Sequence, residues 1–146
     1  MHGISVGWEH FWYCIYARRI EFLTDFQLQI EHALDLANRV HGILIIDVQV
    51  GLSSVEHEIP LFEHYLSMPN VHLAIDPEFS MKHGERPGTV IGTMDATDIN
   101  YAAQYLASLV TKYHLPPKIL VVHRFTNAMV TNYKNIAPLP EVQIGR

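Results

Sequence analysis

Two carboxylates, Asp76 and Glu78, close the apolar run VHLAIDPEF at 71–79. Spaced i, i+2 on an extended strand, they point to one face. Charge at the end of a buried strand is costly unless it has a partner or a use. An earlier run, GILIIDVQV at 42–50, ends in Asp47 and Gln49 with the same spacing, and a third, KILVVHRF at 118–125, ends in His123 and Arg124. Cleavage of a glycosidic bond needs one carboxylic acid to protonate the leaving oxygen. It also needs a second carboxylate as nucleophile or base, roughly 5 to 9 Å away. Glu78 is the expected proton donor, with Asp76 or Asp47 as nucleophile or base. Gln49, His123 and Arg124 are expected to contact substrate. The same rim offers an alternative chemistry: Asp47, Asp76, Glu78 and His123 as ligands of a divalent metal in ester or phosphoester hydrolysis. A purely structural alternative has Asp76 capping the loop that follows and Glu78 paired with Lys82 or Arg86.

Other candidates carry less. The loop KHGERPG at 82–88 combines two glycines with cationic side chains and reads as a lid or clamp, with Lys82 and Arg86 placed to meet substrate. It has neither GxxxxGK[ST] nor GxGxxG, so nucleotide binding is not expected. Ser53 and Ser54 lack the GxSxG setting of a hydrolase elbow. His57 and His64 are seven residues apart, not the four of a zinc-binding helix, and with Glu58 and Glu63 they read as a solvated helix face. Tyr101, Tyr105 and Tyr113 fall at helical spacing and read as packing. His72 lies at the start of its strand, away from the acids, and reads as structural.

The elements that must hold these residues follow from periodicity. Apolar residues at helical spacing predict a helix at 26–40, stopped by His41-Gly42. A strand over 42–50 precedes a helix at 55–68, capped by Ser54 with Pro60 near its start. A strand over 71–79 leads into a long loop at 80–94. Asp95 and Asp98 resemble a capping box for a helix that runs to about Tyr113 and is broken by Pro116-Pro117. A strand over 118–125, a helical turn at 132–136 and a fourth strand at 141–144 complete the reading. Helix and strand alternate, which implies right-handed βαβ units and a parallel sheet whose site lies at the carboxyl ends of its strands. The polar residues sit at those ends.

Composition sets the bounds. The chain has 146 residues, 49% hydrophobic and 17% charged, with a formal net charge of −5. A single cored domain is expected, without disorder. No basic patch points to nucleic acid. One cysteine, Cys14, excludes an internal disulfide and a multi-cysteine zinc site, and reads as a small buried hydrophobe. Residues 1–25 are crowded with Trp8, Phe11, Trp12, Tyr13 and Tyr16, and are expected to pack on the core or on a partner. Charges interrupt this stretch, so neither a signal peptide nor a membrane span is expected, and a cytoplasmic location is the default. Residues 26–146 form the βα-repeat domain.

Five segments, IDVQVG, VHLAIDPEF, IGTMDATDIN, LPPKILVVHRFT and PLPEVQI, together resemble the middle of uncharacterised bacterial proteins of glycoside-hydrolase-like (β/α)-barrel type. The resemblance covers about two thirds of the chain. It implies a partial TIM-barrel-like sheet that continues beyond VQI in such proteins. Exposed sheet edges would favour completion by a second copy, so a homo-oligomer, a dimer, is expected. The expected activity is a hydrolase acting on a small-molecule or carbohydrate substrate, with no cofactor in the leading reading and a divalent metal in the alternative. The remaining reading is a non-catalytic oligomeric or carbohydrate-binding domain.

Overall fold

A computed structural model describes residues 4–6, 12–17 and 23–145, with side chains over 27–145. Its strands are β1 (Ile4–Val6), β2 (Trp12–Ala17), β3 (Ile43–Val48), β4 (Val71–Ile75), β5 (Met94–Asp95), β6 (Lys118–Val122), β7 (Val130–Thr131) and β8 (Val142–Gly145). The helices are α1 (Leu23–Arg39), α2 (Val55–Glu58), α3 (Glu63–Leu66) and α4 (Ala96–Tyr113). Strands β1-β2-β3-β4-β6-β8 form one sheet in that order, and β5 pairs with β7 apart from it. β1 is antiparallel to β2, while the remaining neighbours are parallel. The fold is therefore mixed α/β on a parallel sheet.

Strand order follows chain order, so successive right-handed crossovers carry their helices to one face. Alternation along the strands shows which face. Leu44, Ile46 and Val48 of β3, Val71, Leu73 and Ile75 of β4, and Leu120 and Val122 of β6 share one core. Ile30 and Ala33 of α1 and Ile99, Ala102, Ala103 and Leu106 of α4 pack into it. The intervening residues, Ile45, Asp47, His72 and Ala74, face the other way and are buried as well.

Local chemistry sets the helix limits. α1 stops where His41 takes a left-handed conformation (φ 53°) and Gly42 N–H donates back to the Ala37 carbonyl at 2.8 Å. α4 starts in the expected capping box. The Asp95 carboxylate accepts from Thr97 N–H at 3.0 Å, and the Asp95 N–H donates to Asp98 Oδ2 at 2.8 Å. The other Asp95 oxygen accepts from Thr131 Oγ1 and Asn132 Nδ2, which ties this helix start to β7. These donors hold the Asp95 carboxyl down at about 2.

The periodicity reading did not mark β1, β2, β5 or β7, and several of its elements are broken or shortened. The helix expected at 55–68 is broken into α2, a 3₁₀ turn at Ile59–Phe62 and α3. Pro60 lacks an N–H to continue an α-helical ladder and starts the tighter turn instead. The strand expected over 71–79 ends at Ile75, because Asp76 caps a 3₁₀ turn at Pro77–Phe79. Asp76 and Glu78 thus do not share a strand face. The strand expected over 118–125 ends at Val122. The packing expected of Cys14 and of the N-terminal aromatic residues concerns side chains outside the described residues. Among the described residues, no helix is long and apolar enough to cross a membrane.

Lys118 is the least expected core residue. It opens β6 with no solvent exposure, and its ammonium donates to the carbonyls of Met68 and Val71, the latter at 2.8 Å. It thus closes the turn between α3 and β4. Burial lowers its pKa to about 8. The folded chain therefore binds fewer protons than the unfolded chain between about pH 8 and 10.5. Unfolding free energy should rise with pH across that window, by about 3 kcal/mol in total. Denaturant melts at pH 7, 9 and 11 should show this rise, and Lys118→Met should flatten it.

Candidate functional site

The polar residues at the carboxyl ends of β3, β4 and β6 converge on the sheet face opposite the helices. The parallel register aligns Asp47 with Ala74 and Ala74 with Val121. One pleat period further on lie Gln49, Asp76 and His123, on the same face. Main-chain bonds carry the ladder past the strand ends: Asp76 N–H donates to Val48 O at 3.3 Å, and His123 N–H to Ile75 O at 3.1 Å. Ala74, on the intervening strand, lies level with Asp47 and one pleat period short of His123. Its methyl leaves space, and His123 Nε2 sits 3.2 Å from Asp47 Oδ2. The Asp47 side chain has no exposure, whereas that of His123 is 41% exposed.

Asp76 sits beside this pair. Its carboxylate accepts from Glu78 N–H at 3.1 Å and from Gln49 Nε2 at 3.4 Å, and the residue is 7% exposed. Burial, then the neighbouring Asp47 charge, pushes the Asp76 carboxyl up to about 6, against the pull of the Glu78 N–H and of His123. His123 is raised in turn. Its bond to Asp47 dominates over burial, and both Asp47 and Asp76 attract its proton. The site is thus an ion pair with its acid inside and its imidazole outside, flanked by a carboxyl that stays protonated into mildly acid solution.

Glu78 stands apart. It occupies the 3₁₀ turn, half-buried, and its charge reaches Asp76. The loop that follows returns tightly against this turn. Gly92 N–H donates to Glu78 O at 2.8 Å, and a Cβ at Gly92 would lie 2.4 to 2.7 Å from the carbonyl oxygens of Ser80, Pro77 and Glu78. Only glycine fits there.

The expected substrate cations are largely committed elsewhere. Lys82 Nζ lies 3.0 Å from Asp98 Oδ2, which anchors the loop to α4. Arg124 donates to Thr126 O at 3.3 Å and to Asn127 O at 2.9 Å, and stacks 4.9 Å over the Tyr133 ring. Arg86 is exposed on the loop. Asp47, Asp76, His123 and Gln49 are therefore gathered, Glu78 is adjacent, and Lys82 and Arg124 serve the scaffold. Among the described residues, no group of three or more His, Cys, Asp or Glu is placed to hold a metal ion. The alternative ligand set of Asp47, Asp76, Glu78 and His123 is thus not assembled as one.

Two contributions were not read from the sequence. Ala74 acts as a spacer. Glu63 accepts from Tyr105, Lys112 and Tyr113 at 3.0, 2.8 and 2.9 Å, so two of the tyrosines taken as packing residues bind an acid. Those donors hold the Glu63 carboxyl at about 2. His72 is structural, as its place at the start of β4 suggested: its Nδ1 accepts from Ile119 N–H at 3.0 Å, and burial lowers the ring to about 4. No protein-family model, curated protein or solved structure matches this chain.

The electrostatic coupling is directly testable. Asp47→Asn removes the partner that raises His123 and the charge that raises Asp76, so both pKa values should fall, as read by NMR titration of the imidazole and carboxyl carbons. If either value stays in place, the coupling is absent. Gly92→Ala should lower stability by about 1–3 kcal/mol in a denaturant melt, because the carbonyls around it must move.

Proposed function

We propose that this rim is the acid/base centre of a hydrolase acting on glycosidic bonds. The observation that carries the reading is the convergence of Asp76 with the buried Asp47–His123 pair at the ends of three neighbouring parallel strands. The roles differ from those read in the sequence. Asp76, protonated up to about 6, suits the proton donor better than Glu78. Glu78, outside the strand and half-exposed, is the second carboxylate, serving as base or nucleophile. His123 touches substrate and, as a cation, stabilises the Asp76 carboxylate left after proton transfer. Asp47 has no exposure and positions His123 without contacting substrate. The sequential strand order with helices on one face supports a barrel-like setting. In that setting, a second copy of the chain would close the open sheet and the far side of the rim.

Asp76→Asn should lower kcat/KM on chromogenic glycosides by about 10²–10⁴-fold, while the amide keeps the cap and the fold. Glu78→Gln should do likewise. Since the reactive form carries a proton on Asp76, kcat/KM should fall as pH rises through about 6. In Asp47→Asn that limb should move to lower pH. Turnover that survives Asp76→Asn, or a limb unmoved by Asp47→Asn, would remove Asp76 from the donor role. Absence of turnover across glycoside and ester panels leaves the carbohydrate-binding reading.

A further inference from the structure

We infer that the site takes a neutral sugar ring whose apolar face rests on Phe125. This inference rests on the sugar-directed reading of the rim given above. Phe125 follows His123 by two residues and is 62% exposed. A single exposed hydrophobe is ordinary, but the setting of this one is not. Arg124, between His123 and Phe125, is held by the Thr126 and Asn127 carbonyls and by the Tyr133 ring. The loop is therefore braced from within. Its first residue is held to Asp47, its second to the loop itself, and its third, an aromatic ring, is left to solvent. An exposed ring on a braced loop costs less entropy to dock against than one on a free loop.

The neighbouring loops show the same character. Leu52 after β3, and Val90 and Ile91 in the loop that follows Glu78, are 58%, 48% and 56% exposed. The strand ends thus combine a buried polar floor with apolar side chains on the loops above. That combination fits a ligand with hydroxyls on its edges and C–H groups on its face, as a pyranose has. The charges select against an anion. The Asp47 charge is matched by His123, Glu78 adds negative charge, and Asp76 joins it above about pH 6, while Lys82 is engaged by Asp98 and Arg124 by its own loop. A phosphate ester or uronate would meet the Glu78 charge with Lys82 and Arg124 already engaged and His123 held to Asp47.

The test uses the full chain carrying Asp76→Asn, so that binding is read without turnover. Isothermal titration is run with chitotriose, cellotriose, xylotriose and maltotriose, and with trigalacturonate as the anionic probe. At least one neutral trisaccharide should bind and trigalacturonate should not. Adding Phe125→Ala should weaken that binding about tenfold, and Phe125→Tyr should keep it within about twofold. Phe125 is exposed, so an unchanged melting temperature should accompany both variants. Binding of none of the neutral sugars, preference for trigalacturonate, or unchanged affinity in Phe125→Ala overturns the inference. The hydrolase reading fails separately. Phe125-dependent sugar binding without turnover in the unsubstituted chain overturns the hydrolase alone. Turnover with KM unchanged by Phe125→Ala overturns the platform alone.

Discussion

A carboxylate with no solvent exposure at the end of a strand constrains everything around it. Asp47 is that group, and the His123 imidazole 3.2 Å away answers it. Neighbouring strands lie about 4.8 Å apart, and β4 runs between the two residues. Asp47 lies level with Val121, so His123, one pleat period further on, must share its face and reach back along the sheet across β4. Parallel pairing supplies the face. Ala74, aligned with both Asp47 and Val121, supplies the space. A larger side chain at 74 would crowd this buried face and strain the contact between imidazole and carboxylate.

The same groups fix how the fold responds to pH. Asp76 is raised, so the folded chain holds a proton there that the unfolded chain releases, and stability falls as pH climbs from 3.8 to about 6. His123 is raised too. Its contribution is complete below its ordinary value of 6.5 and is lost as pH rises through its folded value. Both site groups therefore favour the fold in acid. Lys118, at the amino ends of the strands, works in the opposite sense at higher pH. The two ends of the sheet hold buried polar groups for different purposes. Lys118 and His72 satisfy backbone atoms of neighbouring segments, while Asp47 is coupled to His123, and Asp76 to Asp47, Gln49 and the Glu78 N–H.

Much of this was legible in the sequence. Alternation of apolar runs gave β3, β4, β6 and the parallel sheet, and Asp95 with Asp98 marked the start of α4. The strand ends that bear Asp47, Asp76 and His123 could be named because a parallel sheet gathers them whatever its curvature. Residue roles were harder, since they depend on burial and on competing partners. Arg124 looked like a ligand contact, but carbonyls only two and three residues away claimed it. Lys118 was read only as the first residue of a strand. Nothing in its local sequence shows that the α3–β4 turn brings two carbonyls to its ammonium.

The misread strand end matters most for the chemistry. On a continuous strand, Asp76 and Glu78 would have shared one environment, two like charges side by side with neither suited to a distinct task. The 3₁₀ turn at Pro77 separates them. It leaves Asp76 in the sheet, where burial and Asp47 keep its proton on, and lifts Glu78 out into a half-exposed position. Two carboxylates divide acid and base work only when their surroundings differ. In this chain the difference comes from a proline after the last strand residue, and from the Glu78 N–H that turns back onto Asp76 to cap the break.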